Sequence, residues 1–152
     1  MKQYGTKETI AFFAHQMVGL HMSYLLHLHP DCIVPVPLHP FKKRQRGFNQ
    51  AELLAEAVSE AFPVYELPVR SLLKKTIRTA EQKTLSGAER KRNLAHAFRL
   101  EEACMDQLPS VVLLIDDVFT TGSTLAACAA VLKKQGVKQV GFLCACLSEG
   151  EL

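Results

Sequence analysis

Apolar and polar positions along this chain alternate between a helical and a strand period, and each change of period marks an element. From Thr6 to His29, Ile10, Phe12, Phe13, Met17, Leu20, Met22, Leu25 and Leu26 fall at spacings nearer a helix than a strand. CIVPVPL, Cys32 to Leu38, is a short β-branched run whose two prolines end the strand near Pro35. HPFKKRQRG reads as the loop that follows. Phe48 to Phe62 predicts an amphipathic helix, with Leu53, Leu54, Ala57, Val58 and Ala61 on one side and Glu52, Glu56 and Glu60 on the other. Pro63 closes it. Val64 to Val69 is a short strand candidate interrupted by Pro68, and Leu72 to Leu85, polar and cationic with few apolar anchors, reads as an excursion from the core.

Ser86, followed three residues on by Glu89, has the spacing of a capping box and predicts a helix to Ala95. Val111 to Ile115, VVLLI, does not alternate. Such a run suits a parallel strand covered on both faces. Leu125 to Gln135 predicts an Ala-rich helix stopped at Gly136, and Val140 to Leu147 a further strand. Strand, helix, strand in that order is a right-handed βαβ unit, so the fold class is α/β.

Composition narrows this picture without changing it. The chain has 152 residues, 48% hydrophobic and 22% charged, with 8 Gly and 7 Pro, which excludes a disordered or low-complexity chain and fits a single domain over residues 1–152. Residues 1–30 are expected to form an N-terminal helical segment and 31–147 the core. No apolar run reaches the roughly 18 to 20 residues of a membrane span, and no signal peptide is read at the N-terminus. Cys32, Cys104, Cys128, Cys144 and Cys146 form no CxxC pair, which fits reduced thiols and a cytoplasmic location. Cys144 and Cys146 are expected to be buried small hydrophobes. His27, His29 and His39 lack ligand spacing with an acid or thiol, so zinc is not expected.

Net charge is +3, but it is unevenly spread. From His39 to Arg92 there are twelve Lys and Arg against six Asp and Glu, while the rest of the chain holds six against nine. A basic middle points to an anionic partner, either a phosphorylated small molecule or nucleic acid; solvated helix faces are the plainer alternative.

VLLIDDVFTTGST, Val112 to Thr124, concentrates the chemistry. A buried strand ends in adjacent carboxylates, Asp116 and Asp117, at the place where open parallel sheets bind ligands. Thr120, Thr121, Gly122, Ser123 and Thr124 then offer backbone amides and hydroxyls at a helix N-terminus, an anion site. Two acids beside a phosphate cradle would repel phosphate alone. They suit a ribose phosphate, whose vicinal hydroxyls donate to the acids while the phosphate occupies the loop. The segment has neither GxxxxGK nor GxGxxG.

This segment resembles the 13-residue phosphoribosyl pyrophosphate (PRPP) motif of type I phosphoribosyltransferases. IVPVPLHPFKKRQRGFNQAELLA, Ile33 to Ala55, and RTAEQKTLSGAERKRNLAHAF, Arg78 to Phe98, resemble two further signatures of the ComF family, the late-competence or amidophosphoribosyltransferase-like proteins. The resemblance implies a single-domain type I phosphoribosyltransferase-like fold: a central, mostly parallel sheet, flanking helices and a mobile hood. Longer ComF relatives carry an N-terminal four-cysteine zinc finger, and none is expected here.

Residue by residue, the resemblance implies that Asp116 and Asp117 bind the ribose hydroxyls and act in catalysis. They would also meet magnesium indirectly, through those hydroxyls or water. Thr120, Thr121, Gly122, Ser123 and Thr124 would hold the 5′-phosphate. Pro37 to Phe41 would correspond to the pyrophosphate loop, often built on a strained peptide, with Lys42, Lys43, Arg44 and Arg46 neutralising the pyrophosphate. Arg78 to Arg92 would form the hood, with Gln82, Arg90 and Asn93 as its matching polar residues. Phe48 and Asn49 are read as structural. The implied activity is magnesium-dependent displacement of pyrophosphate from C1 of PRPP, in competence and DNA uptake or in nucleotide-related metabolism. The alternative is a single-stranded-DNA-binding competence factor that keeps the PRPP site without turnover, since Phe41 and Phe48 flank the cations of KKRQRG. Competence machinery as a partner completes the expectations, with Ile10 to Leu28 read either as a homodimer surface or simply as core.

Overall fold

The computed structural model describes residues 7–76 and 86–147. Helices α1 (Lys7–Leu20) and α2 (Met22–Leu28) lead into strand β1 (Cys32–Pro35), followed by α3 (Pro40–Arg46) and α4 (Gln50–Ala61). Strand β2 (Leu73–Lys75), α5 (Gly87–Ala95) and β3 (Phe98–Leu100) come next, then a 3₁₀ turn at Glu102–Cys104, β4 (Val111–Phe119), α6 (Ser123–Lys134) and β5 (Gln139–Leu147).

Strands β1, β4 and β5 form a parallel sheet with β4 in the middle. Both faces of β4 are covered, which explains its unbroken apolar run. Leu113 and Ile115 pack with Ile33 and Leu143 against α1, α2 and α4, whereas Val112 and Leu114 pack with Cys32 and Val34 against α6 and the β2–β3 pair. The helix that follows β1, α4, thus covers one face, and α6, which joins β4 to β5, covers the other. Crossovers on opposite faces open a crevice at the carboxyl ends of the strands where they diverge. At the opposite end, the Asp31 carboxylate accepts from the backbone N–H groups of Ser110 (2.9 Å) and Val111 (2.8 Å), fixing β4 against β1.

Several elements differ from expectation. Strand β4 does not stop at Ile115: it stays paired with β5 as far as Phe119, so the two aspartates lie within the strand. HPFKKRQRG is a helix rather than a loop, because Pro40 occupies its first turn, where no N–H is needed, and His39 Nδ1 accepts from Phe41 N at 3.1 Å. The buried face of α4 is Ala51, Leu54, Ala55 and Val58, a shift that leaves Leu53 37% exposed. Val64 to Val69 forms no strand; Val69 makes a single parallel bridge to Ile33.

The start of the expected excursion is anchored, since Leu72 and Leu73 are buried and β2 pairs antiparallel with β3. Ser86 and Glu89 do make the reciprocal capping box of α5. Cys144 is half-buried, but Cys146 is exposed rather than packed. Among the described residues, no helix is long and apolar enough to cross a membrane.

Candidate functional site

The last register pair between β1 and β4 is Pro35 with Ile115, and Val36 N donates to Ile115 O at 2.9 Å. Beyond that bond the first chain turns away at Pro37, while β4 runs on. Asp116 and Asp117 are the next two residues of β4, half-buried at the edge of the gap so formed. The gap is a cleft of about 140 Å³ lined by Val36, Pro37, Leu38, Arg46, Asn49, Gln50, Lys75, Asp116, Asp117 and Thr124. Six elements or their flanks thus meet there: the end of β1, α3, α4, β2, β4 and the start of α6.

Each carboxylate accepts from the backbone N–H of the following residue. Asp117 N donates to Asp116 Oδ1 at 2.9 Å, and Val118 N donates to Asp117 Oδ1 at 3.0 Å. Burial, followed by the hydrogen bond and negative charge of Asp117, pushes the Asp116 carboxyl up to about 7; Lys75 opposes the rise. Burial and then the charge of Lys42 lower the Lys75 ammonium.

Gly122 stands before α6 with φ +77, the left-handed conformation, and a Cβ there would meet the Phe119 ring at 3.0 Å. Gly122 O accepts from Ala126 N, so the N–H groups of the first helical turn have no partner four residues back. Thr121 Oγ1 lies 2.7 Å from Ser123 Oγ and accepts from Ser123 N at 3.3 Å. Thr120, Thr121 and Ser123 are exposed, and Thr124 reaches the cleft lining.

The four cations of α3 have different surroundings. Arg46 lines the cleft, and half-buried Lys42 is close enough to act on Lys75. Lys43 instead forms an ion pair with Glu52 of α4 at 2.8 Å, and Arg44 is exposed and absent from the lining. Among the described residues there is no cis peptide, and the only non-glycine with positive φ is His29, so the strained peptide expected at Pro37 to Phe41 is not found. Asn49 is structural, as read, whereas Phe48 is 41% exposed. Of the hood residues, Arg90 and Asn93 fall in α5, Asn93 is not in the cleft lining, and Gln82 lies outside the described residues.

Lys75 is the cleft residue that sequence reading missed. The available signal was the alternation of FRL, Phe98 to Leu100, against LKK, Leu73 to Lys75, on the far side of the excursion.

The model of the phosphoribosyl transferase domain matches residues 54–151. The chain belongs to the phosphoribosyl transferase domain family. Competence protein F of Haemophilus influenzae is 38% identical over 111 residues, 73% of this chain and 48% of that protein. The DNA utilization protein YhgH of Escherichia coli K12 is 39% identical over 117 residues, 77% of this chain and 49% of that protein. These relatives bear out the resemblance to the ComF branch, and the chain spans about half the length of the curated relatives it matches. A purine phosphoribosyltransferase from Pyrococcus horikoshii superposes with a TM-score of 0.51 at 15% identity, covering 95% of this chain and 76% of that one, a likeness of fold.

Proposed function

We propose that this phosphoribosyltransferase-family chain binds PRPP with magnesium and transfers its phosphoribosyl group, in a competence or DNA-utilisation setting such as its relatives' names describe. The observation that carries the reading is the meeting of Asp116, Asp117 and Thr124 with Arg46 and Lys75 around one cleft at the carboxyl end of β4. A ligand with hydroxyls between two phosphorylated ends matches that lining. The Asp116 and Asp117 oxygens accept from the vicinal ribose hydroxyls. The N–H groups and hydroxyls of Thr120 to Thr124 donate to the 5′-phosphate. The cations face the pyrophosphate and stabilise negative charge as it leaves C1.

Magnesium fits the donor set. It favours hard oxygen ligands and is commonly held by one or two carboxylates plus substrate phosphates, which is what an adjacent acid pair offers; the described residues hold no cluster of three ligating side chains. When bound it would supply charge neutralisation at the pyrophosphate oxygens. Asp116 and Asp117 are the residues that would hold it, through hydroxyls or water. Calorimetry with PRPP and magnesium tests the reading. Binding by the wild type that falls sharply in Asp116→Asn and Asp117→Asn is expected; no binding, or binding indifferent to both substitutions, overturns it.

A second reading, single-stranded nucleic acid on the outer side of α3, draws support from Phe41 and Phe48, 52% and 41% exposed beside Arg44 and Arg46. A salt titration of oligonucleotide binding tests it. Affinity at low salt that drops when Phe41 and Arg44 become Ala is expected, and no affinity at low salt rejects it.

A further inference from the structure

Strand β5 is an edge of the parallel sheet, because the strand order is β1, β4, β5. Its free side is covered at one point. A Cβ at Gly141 would run into Tyr24 Oη and Leu28, and the missing side chain lets α2 approach until Tyr24 Oη accepts from Phe142 N at 3.2 Å. Backbone groups of a paired strand point to alternate sides, so the N–H and C=O groups of Cys144 and Cys146 face the same way as Phe142 N, away from β4. Among the described residues, neither has a backbone partner on that side. An open edge is a template for a further strand unless charges or prolines blunt it, and Gln139 to Leu147 contains neither.

The side chains around this edge are apolar and exposed. His21, Tyr24, Phe142 and Leu147 border an open groove of about 640 Å³ along β5, together with Phe119, whose ring stacks on that of Phe142 at 5.9 Å. Phe13 comes in from α1, where it meets Ala145 of β5, and Leu20 directly precedes His21. Tyr24 is 39%, Phe13 40%, Phe142 48%, Leu20 78% and Leu147 80% exposed. At roughly 100 Å² each, they leave on the order of 500 Å² of apolar side chain in water. Homodimer interfaces are about 65% apolar, so this corresponds to about 800 Å² a side, the size of a stable interface.

Charge decides what kind of partner fits. In a chain that is 22% charged, neither Thr9 to Pro30 nor Gln139 to Leu147 contains an Asp, Glu, Lys or Arg. A charged partner would find nothing there to pair with. Two copies of the same face, by contrast, meet without like-charge repulsion.

We propose that this face binds a second copy of the chain, with β5 antiparallel to β5 of the partner subunit about a two-fold axis. Such an axis makes every contact reciprocal. The register that leaves the Tyr24 bond intact puts the axis at Ala145 and sets Cys144 opposite Cys146 of the partner subunit. Each such pair exchanges two N–H···O bonds, which satisfies the open groups of both strands. Phe142 and Leu147 flank the pairing and are covered by the partner copy. The pairing stands apart from the PRPP reading, since it uses no residue of the cleft.

Sedimentation velocity on the full chain with its thiols reduced, over a dilution series, tests this. Wild type should be a dimer that dissociates on dilution. Leu147→Glu and Phe142→Glu each bring like charges into the pairing, and each should weaken association by about 30-fold or more, the scale of an interface hot spot, without lowering the melting point of the monomer. If Phe142→Glu melts early, Leu147→Glu, at the exposed end of the strand, decides. Met105→Glu, an exposed apolar position on the α6 side, should leave the dimer unchanged. A short bis-maleimide should join two copies through Cys146, as read by peptide mapping. Interfaces of this size bind at about micromolar strength or tighter, so a wild type that is monomeric at about 100 μM overturns the proposal. A dimer indifferent to both glutamates, or one that Cys146 does not link, places the contact on another face and overturns it as well.

Discussion

Asn49 joins the end of β1 to the start of α4: its Nδ2 donates to Val36 O at 3.1 Å, and its Oδ1 accepts from Ala51 N at 3.1 Å. Asn49 is the only polar side chain that is fully buried among the described residues. It also lines the cleft, so one amide sets both the helix start and the backbone that turns away at Pro37. Asn49→Ala removes an N-cap and leaves a buried carbonyl without its donor. The expected loss is about 2–4 kcal/mol in urea denaturation. Asn49→Asp retains the cap oxygen but not the donor, and should fall between wild type and Asn49→Ala. A loss below about 0.5 kcal/mol for Asn49→Ala would mean that α4 is held by its apolar face alone.

Gly122 is constrained twice, by φ +77 and by the Phe119 ring 3.0 Å from the position of a Cβ. An alanine there must adopt a left-handed backbone and displace the ring. Gly122→Ala should therefore cost roughly 1–2 kcal/mol of stability from the backbone alone. Under the proposed function it should also weaken ribose 5-phosphate binding, because the N–H groups it disturbs belong to the phosphate loop. Parallel melting and calorimetry check both effects, and a variant as stable and as tight as wild type would contradict this account of the turn.

What could be read from the sequence divides along the range of the interactions. The start of β4 at Val111, the Ser86–Glu89 capping box and the Gly136 helix stop are each determined within a few residues and appear where expected; the end of β4 does not, since its pairing with β5 carries it on to Phe119. The placing of Asp116, Asp117 and Thr124 at one cleft was equally legible, since one contiguous segment carries all three. The phase of α4 was not. Leu53 is more apolar than Ala51 or Ala55, yet the face buried against α1 and β4 is the one that carries the alanines with Leu54 and Val58. Lys75 was hidden for a related reason: its place in the cleft depends on pairing with Phe98 across the intervening excursion. A cation in a polar stretch carries no local sign of that pairing.

Asp116 gives the ligand-free protein a defined response to pH. Its carboxyl is raised to about 7 by burial and then by Asp117, against about 3.9 in an unfolded chain. Between those values the folded protein holds a proton that the unfolded chain has released. The associated stability is complete below about pH 4 and is lost as the pH rises through about 7. Stability should accordingly fall from about pH 5 to about pH 8, by a few kcal/mol at most because the group is only half-buried. Asp116→Asn should flatten the decline and be the more stable protein at about pH 8. Urea midpoints across that range measure it, and an unchanged slope in the variant would remove Asp116 as the cause.

The cations of α3 are close in sequence but should differ in effect. Arg46 reaches the cleft, whereas Lys43 is held by Glu52 at 2.8 Å on the exposed surface between α3 and α4. Arg46→Ala should weaken pyrophosphate and PRPP by roughly tenfold or more, the scale of one lost charge-assisted hydrogen bond. Lys43→Ala breaks a solvent-exposed pair, so it should shift stability by no more than about 1 kcal/mol and pyrophosphate affinity by less than about threefold. Raising the salt concentration separates a general field from a local contact. A field effect would shrink the gap between Arg46→Ala and wild type as salt screens it, while a direct contact leaves most of that gap in place. If the two substitutions weakened pyrophosphate equally at low salt and neither did so at high salt, the cleft would not be where the anion binds, and α3 would serve as a uniformly basic surface of the kind the nucleic-acid reading requires.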